Sequence, residues 1–198
     1  MKRSIRVVTV TLLLWLVAAT VAVASSSPSE VVRGGIHNVL AVVQDTSLDQ
    51  VAKREKMRDL IARHFDFDTM SRSILARNWK KASGKEKERF IALFQTLLEN
   101  TYMTAIESYT SEQVQFGKER IKGKRAVVPV SIVLKTGAAA PLRFKLRHRK
   151  GEWAVYDVVI EGVSLVNNFR SSFRSIVRRE GIAGLLERLE KKVGRAES

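Results

Sequence analysis

The chain has 198 residues, 45% of them apolar, and carries a formal net charge of +15. This suits one domain with a sizeable core plus a processed segment. The absence of cysteine excludes disulfides, thiolate metal sites, a cysteine nucleophile and a lipidated N-terminal cysteine. The positive excess demands an acidic counterpart: nucleic acid, an anionic membrane surface or an acidic partner.

Lys2, Arg3 and Arg6 precede an apolar run from Val7 to Val23, and Ala22-Val23-Ala24 has the small-x-small form of a cleavage site. Residues 1–24 therefore read as a secretory signal peptide, cleaved after Ala24. An exported chain does not normally meet chromosomal DNA, which leaves membranes and acidic proteins as counterparts. Residues 25–198 form the mature domain.

Val32, Ile36, Val39, Leu40 and Val43 predict a first helix from Ser29 to Val43, with Gly34-Gly35 inside it. Ser47 to Phe65 predicts a second, with Leu48, Val51, Ala52, Leu60, Ile61 and Phe65 on its apolar side. Asp66 caps a short third helix carrying Phe67, Met70, Ile74 and Leu75, which ends near Trp79. Ser83-Gly84-Lys85-Glu86 is a capping box. It opens a long helix to Tyr109 whose stripe is Phe90, Leu93, Phe94, Leu97, Leu98, Tyr102, Ile106 and Tyr109.

Four strands follow: Val114–Ile121, Ala126–Leu134, Leu142–His148 and Trp153–Ile160. Pro129 cannot donate a ladder hydrogen bond, which predicts an edge or a bulge there. The third strand has opposite faces: Leu142, Phe144 and Leu146 against Arg143, Lys145, Arg147 and Arg149. In the fourth, Ala154, Tyr156, Val158 and Ile160 alternate with Trp153, Val155, Asp157 and Val159. Glu161-Gly162 turns the chain into a helix with Leu165, Phe169, Phe173, Ile176 and Val177 on one face. Gly181 separates a last helix with Ile182, Leu185, Leu186 and Leu189, and the tail to Ser198 is polar. Sequential strands joined by short turns give an α+β fold, with helices on one face of a twisted four-stranded antiparallel sheet.

Catalytic patterns are sparse. His37, His64 and His148 are isolated, so neither a metal site nor a cofactor is expected. Ser164 lies outside a Gly-x-Ser-x-Gly elbow; a hydrolase built on Ser164, Asp157 and a histidine is one minor alternative. The surplus apolar surface admits two further readings: an ordinary filled core in a secreted interaction protein without a ligand, or a lipid pocket.

The run Trp153-x-x-Tyr156-Asp157-x-x-x-Glu161-Gly162-Val163-Ser164-Leu165 resembles the hallmark of the MlaC/toluene-tolerance family of periplasmic phospholipid carriers, part of the maintenance-of-lipid-asymmetry pathway. Phe65-Asp66-Phe67-Asp68-x-Met70 with Trp79, the helix from Phe90 to Tyr102, Arg170, and Gly181-Ile182-x-Gly184-Leu185 are similar to its other motifs. The resemblance spans nearly all of the mature chain. One departure is Ala76, where the family commonly has Gly.

This resemblance implies a periplasmic protein, not an enzyme, that holds the acyl chains of a two-chain phospholipid in an apolar cavity between helices and sheet. A hopanoid-associated branch of the family also exists. The implied partners are an outer-membrane lipoprotein complex and an inner-membrane ABC-type lipid transporter with its MCE-domain subunit. The residues expected to line such a cavity are Phe94, Leu97, Leu98, Tyr102 and Ile106 on the long helix, and Val128, Val130, Ile132, Phe144, Leu146, Tyr156, Val158 and Ile160 on the strands. Val163 at the turn, with Leu165, Phe169 and Phe173 beyond it, completes the set. Apart from the resemblance, Arg143, Lys145, Arg147 and Arg149 form a basic strand face with two open readings: docking to acidic partners or anionic headgroups, or a solvated face that keeps the protein soluble.

Overall fold

The computed structural model describes residues 26–107, 113–133 and 139–195. The signal-peptide segment, Tyr109, Leu134 and the extreme C-terminus lie outside the described residues. Helices α1 (Pro28–Gln44), α2 (Gln50–His64) and α3 (Phe67–Leu75) lead through a 3-10 turn (Ala76–Lys80) into α4 (Gly84–Glu107). Strands β1 (Gln113–Phe116), β2 (Arg120–Lys122), β3 (Arg125–Val133), β4 (Ala139–Arg149), β5 (Glu152–Ile160) and β6 (Val163–Ser164) precede α5 (Leu165–Gly194).

The helix starts follow from their caps. Ser83 and Glu86 exchange backbone hydrogen bonds at the head of α4, Glu86 N to Ser83 Oγ at 3.2 Å and Ser83 N to Glu86 Oε2 at 2.8 Å. Asp66 accepts from Thr69 N at 2.9 Å to start α3. Helix α1 has a second capping box, Ser27 with Glu30. In α5, Gly181 adopts φ 73° and ψ −172°, breaking the helix into the two pieces that its sequence predicts. On α2 the expected apolar side holds at Ile61 and Phe65, which pack against the core, whereas Val51 faces solvent and Met57 is the side chain that the helix buries fully.

The fold is α+β, with an antiparallel sheet of order β1-β3-β4-β5-β6, in which β1 pairs the later half of β3 and β2 pairs its first three residues. Six strands replace the expected four for two reasons. The first predicted strand splits, because Phe116 pairs with Val130 while Arg120 pairs with Val127, leaving residues 117–119 opposite only 128 and 129. Pro129 offers no N–H on that side, and its carbonyl takes the Gly117 N–H at 2.9 Å. A Cβ on Gly117 would stand 3.0 Å from the proline ring, so the bulge suits glycine. The other addition is β6, which folds back on β5 through Glu161 (φ 49°) and Gly162 (φ 88°). Two successive positive φ angles make the two-residue hairpin turn that matches strand twist.

A bulge also alters β5. Lys145 faces Asp157 but Leu146 faces Val155, so Tyr156 is an extra residue. The simple alternation expected of this strand therefore holds only beyond Asp157: Val155, not Tyr156, shares a face with Val158 and Ile160. At the bulged end, Phe65 bridges Val155 in parallel, with Asp66 N donating to Val155 O at 2.8 Å.

The helices cover the apolar face of the sheet. At one end the space is filled by aromatic rings. Phe90 and Phe94 stack at 6.0 Å, and Phe169 and Phe67 meet Phe94 edge-on at 5.2 and 6.3 Å. Phe173 meets Phe90 edge-on at 6.1 Å, and Arg170 Nε ties α5 to the Ser73 carbonyl of α3 at 2.7 Å.

Ala76 gives the departure noted above a physical meaning. It sits at φ 50°, ψ −119°, between α3 and the 3-10 turn. Such backbone is costly for any residue with a Cβ, of order 1–3 kcal/mol, and free for glycine. Glycine also gives about 0.4–1 kcal/mol back to the unfolded chain. Ala76→Gly is therefore expected to raise stability by about 1 kcal/mol; a chemical-denaturation midpoint at or below that of the natural chain would show that the position carries no strain.

Candidate functional site

Where the aromatic packing stops, a cavity of about 410 Å³ opens between helices and sheet. Its volume lies within the ~300–1,000 Å³ usual for small-molecule sites. The stripe of α4 divides between the two regions: Phe90, Phe94 and Leu97 belong to the filled core, while Leu98, Tyr102 and Ile106 face the cavity. The sheet contributes Val114, Ile132, Ala140, Leu142, Phe144, Val155, Val158 and Ile160, and α5 contributes Leu165. The remaining wall is α1 and α2, with Val31, Val32, Gly35, Ile36, Val39, Leu40, Leu60, Ile61 and His64, ending at Phe65.

Of the residues expected at the cavity, Leu98, Tyr102, Ile106, Ile132, Phe144, Val158, Ile160 and Leu165 line it. Phe94, Leu97, Val128, Val130, Leu146, Phe169 and Phe173 are instead buried in the filled part of the core. Tyr156 is displaced by the bulge and packs at the margin of the core. Val163 does not line the cavity: pairing with Ile160 in β6 leaves it 58% exposed. The wall formed by α1 and α2 was missed. Its signal was the α1 stripe and Gly34-Gly35. A Cβ on Gly35 would stand 3.3 Å from the His64 ring, so this glycine lets α1 and α2 close together over the cavity.

Glu99 is the acidic group in this apolar wall. Burial raises its pKa above the usual 4.5, against the opposing effects of the hydrogen bond from Gln95 and the charge of Arg58. Gln95 Nε2 donates to Oε1 at 2.9 Å, and Arg58 Nε lies 3.2 Å from Oε2. His64, also at the wall, has its pKa lowered, by burial first and by Arg63 second. Between 4.5 and the raised Glu99 pKa the folded chain binds more protons than the unfolded one, so this group's contribution improves as pH falls through that window. At pH 8 the cost of burying the carboxylate is borne in full. Glu99→Gln is therefore expected to be at least as stable as the natural chain at pH 8, with that advantage shrinking on acidification. Parallel stability curves from pH 8 to pH 4 would contradict this.

Ser164 and Asp157 are committed to structure. Ser164 Oγ accepts from Asn167 N at 3.2 Å, capping α5, and donates to Asp157 Oδ2 at 2.7 Å. Asp157 also receives Val166 N at 3.1 Å and Lys145 Nζ at 2.9 Å.

The four cations of β4 thus differ in role. Lys145 neutralises buried Asp157, and Arg149 lies 3.5 Å from Asp66 and 3.7 Å from Asp68. Arg143 and Arg147 are exposed and form no ion pair among the described residues. In register, Lys122 stands beside Arg125, and Arg125 beside Arg147. Three like charges abreast on one face cost stability.

The comparisons with known proteins agree with this geometry. The model of the family described as MlaC protein matches residues 35–191. The chain is 23% identical over 199 residues to the intermembrane phospholipid transport system binding protein MlaC of Haemophilus influenzae, covering 96% of this chain and 92% of that one. It is 27% identical over 165 residues to the toluene tolerance protein ttg2D of Pseudomonas putida, covering 80% and 77%. A phospholipid-binding protein from Ralstonia solanacearum, solved in complex with a phospholipid, superposes with a TM-score of 0.81 at 22% identity, over 87% of this chain and all of that one. A family match across most of the domain, the same α+β frame and the cavity between its layers lead to one assignment: the chain belongs to the MlaC protein family.

Proposed function

We propose that this chain is a periplasmic carrier that holds phospholipid acyl chains in its apolar cavity and shuttles lipid between outer- and inner-membrane complexes, maintaining outer-membrane lipid asymmetry. Residues 1–24 direct export and are removed, and residues 25–198 form one carrier domain. The observation that carries this reading is the hydrocarbon-lined cavity in a member of a family whose relatives include a named phospholipid transport protein and, by fold, a phospholipid-bound structure. A filled-core interaction protein has no use for such a space. A hydrolase would need Ser164 free, yet its hydroxyl is engaged with Asp157.

Two acyl chains of about fifteen methylenes, at ~0.8 kcal/mol each, represent ~24 kcal/mol of transfer from water. That exceeds the ~18–21 kcal/mol ceiling of non-covalent affinity. A carrier, however, takes lipid from a membrane. Exchange into an apolar cavity is then nearly thermoneutral, and the protein removes the barrier to crossing water. No catalysis or ATP is required of this chain; direction comes from its partners, an outer-membrane lipoprotein complex and an inner-membrane ABC-type transporter with an MCE-domain subunit. Organic extraction of purified protein followed by mass spectrometry is expected to show a stoichiometric two-chain phospholipid. Lipid-free protein that also fails to load from donor vesicles would defeat the proposal.

The basic sheet face is the proposed docking surface, with Arg143 and Arg147 its free members on β4. Arg143→Glu/Arg147→Glu is expected to change stability by no more than about 0.5 kcal/mol and to slow transfer to acidic partners, with the natural chain slowing as salt rises. Lys145→Glu, by contrast, sets a second carboxylate against Asp157 and is expected to destabilise the fold. Transfer rates indifferent to salt and to the double reversal would leave Arg143 and Arg147 with a solubility role.

A further inference from the structure

The size of the cavity and the way its roof is fastened point to a restriction on cargo. A cavity of ~150 Å³ holds one benzene, or about 25 Å³ per carbon. At that rate 410 Å³ houses about sixteen carbons. This is room for one acyl chain, whereas a phospholipid brings two.

The α1–α2 hairpin is the wall best placed to yield. Helix α2 buries only Met57. His64 of α2 lies over Gly35 of α1 and Lys53 Nζ donates to the Val43 carbonyl at 2.9 Å, which ties the hairpin together. Both ends are anchored: Ser29 N and Oγ donate to Glu119 Oε2 at 2.7 and 2.6 Å, and Asp66 N donates to Val155 O at 2.8 Å. Between those anchors, α2 is fastened to α4 by two ion pairs. Arg54 makes a two-pronged contact with Glu107, at 2.7 and 3.1 Å, and Arg58 reaches Glu99 at 3.2 Å. Arg54 and Arg58 remain partly in water, so the Arg54–Glu107 pair is weak; Glu99 is only 3% exposed, and its release from Arg58 is eased by the burial that already favours its protonated form.

We infer that the latched chain is a one-chain site, and that release of the Arg54–Glu107 and Arg58–Glu99 pairs, swinging α1–α2 on its two anchors, admits the second chain. This rests on the carrier reading and adds a cargo rule to it: single-chain amphiphiles such as a lysophospholipid enter the latched protein, and two-chain lipids enter only the released one.

The absence of native cysteine makes the test specific. In delipidated Arg54→Cys/Glu107→Cys protein, a short bis-maleimide locks α2 to α4. The locked protein is expected to bind palmitoyl-lysophosphatidylglycerol within about twofold of the unlocked form and to take up dipalmitoyl-phosphatidylglycerol at least about a hundredfold less, since locking removes the competent population. A companion variant, Arg54→Gln/Arg58→Gln, removes the cations without a cross-link. It is expected to load the two-chain lipid faster than the natural chain at low ionic strength, where the two ion pairs are least screened. Equal uptake of the two-chain lipid by locked and unlocked protein, or unchanged loading in the companion variant, overturns this inference alone. Failure of the unlocked protein to hold either lipid overturns the carrier reading as well.

Discussion

Asp157→Ala is expected to cost about 3 kcal/mol or more, a large part of the ~5–15 kcal/mol that stabilises a typical domain. The carboxylate is 3% exposed and receives Lys145 Nζ, the Ser164 hydroxyl and the Val166 N–H. Truncation strands the Val166 N–H at the first turn of α5, at ~1–3 kcal/mol for a buried group, and frees the cap hydroxyl and the lysine. Asp157→Asn keeps the shape and one acceptor, so its loss should be roughly half. Denaturant midpoints of the two variants check this. Equal, sub-kcal/mol effects would reduce Asp157 to an ordinary surface carboxylate. Because this residue joins β4, β5 and α5, the same loss should loosen the Leu165 end of the cavity.

Ile36→Glu is expected to lower phospholipid occupancy by about a hundredfold or more while the protein still folds. Ile36 lines the cavity from α1 and is only partly buried. In the empty carrier its carboxylate meets water, but a bound acyl chain would seal it against hydrocarbon. An unpaired charge so buried costs several kcal/mol, and each 1.4 kcal/mol is a factor of ten. Val163→Glu is the internal control, since Val163 already faces solvent, and should change occupancy little. The readout is paired: lipid per protein after extraction, and the unfolding midpoint of delipidated protein. Full occupancy in Ile36→Glu would place the acyl chains elsewhere. A collapsed midpoint without loss of lipid from the surviving fold would make α1 part of a filled core.

The helices were legible because their stripes and caps are local: Ser83 with Glu86, Asp66 before Phe67, and Gly181 inside the last helix all act within one turn. The β5 bulge was not. From Trp153 to Ile160 nearly every residue is apolar, so an added Tyr156 leaves no break in the pattern. The split of the first strand depends on Gly117 meeting Pro129 across the sheet, a pairing invisible along either segment. For the site, periodicity reports which side chains point inward but not whether the space opposite is filled. Leu97 and Leu98 are neighbours on one stripe, yet one packs in the core and the other faces the cavity. The roof was overlooked for a related reason: α1 reads as an ordinary amphipathic helix until Gly35 is seen beneath His64.

The strand at the cavity's edge has a bearing on how the lipid-free protein behaves. An emptied protein exposes hydrocarbon, and exposed hydrocarbon beside a bare strand is a route to polymerisation, because unpaired N–H and C=O groups template further chains. Here Phe65 and Asp66 occupy one end of β5 and β6 occupies the other. On the opposite side of the sheet, the bulge at Gly117 divides the outermost strand into pieces of four and three residues. Neither margin offers a long, flat template. Short, interrupted edges of this kind disfavour the cross-strand stacking of fibrils even when the cavity stands empty.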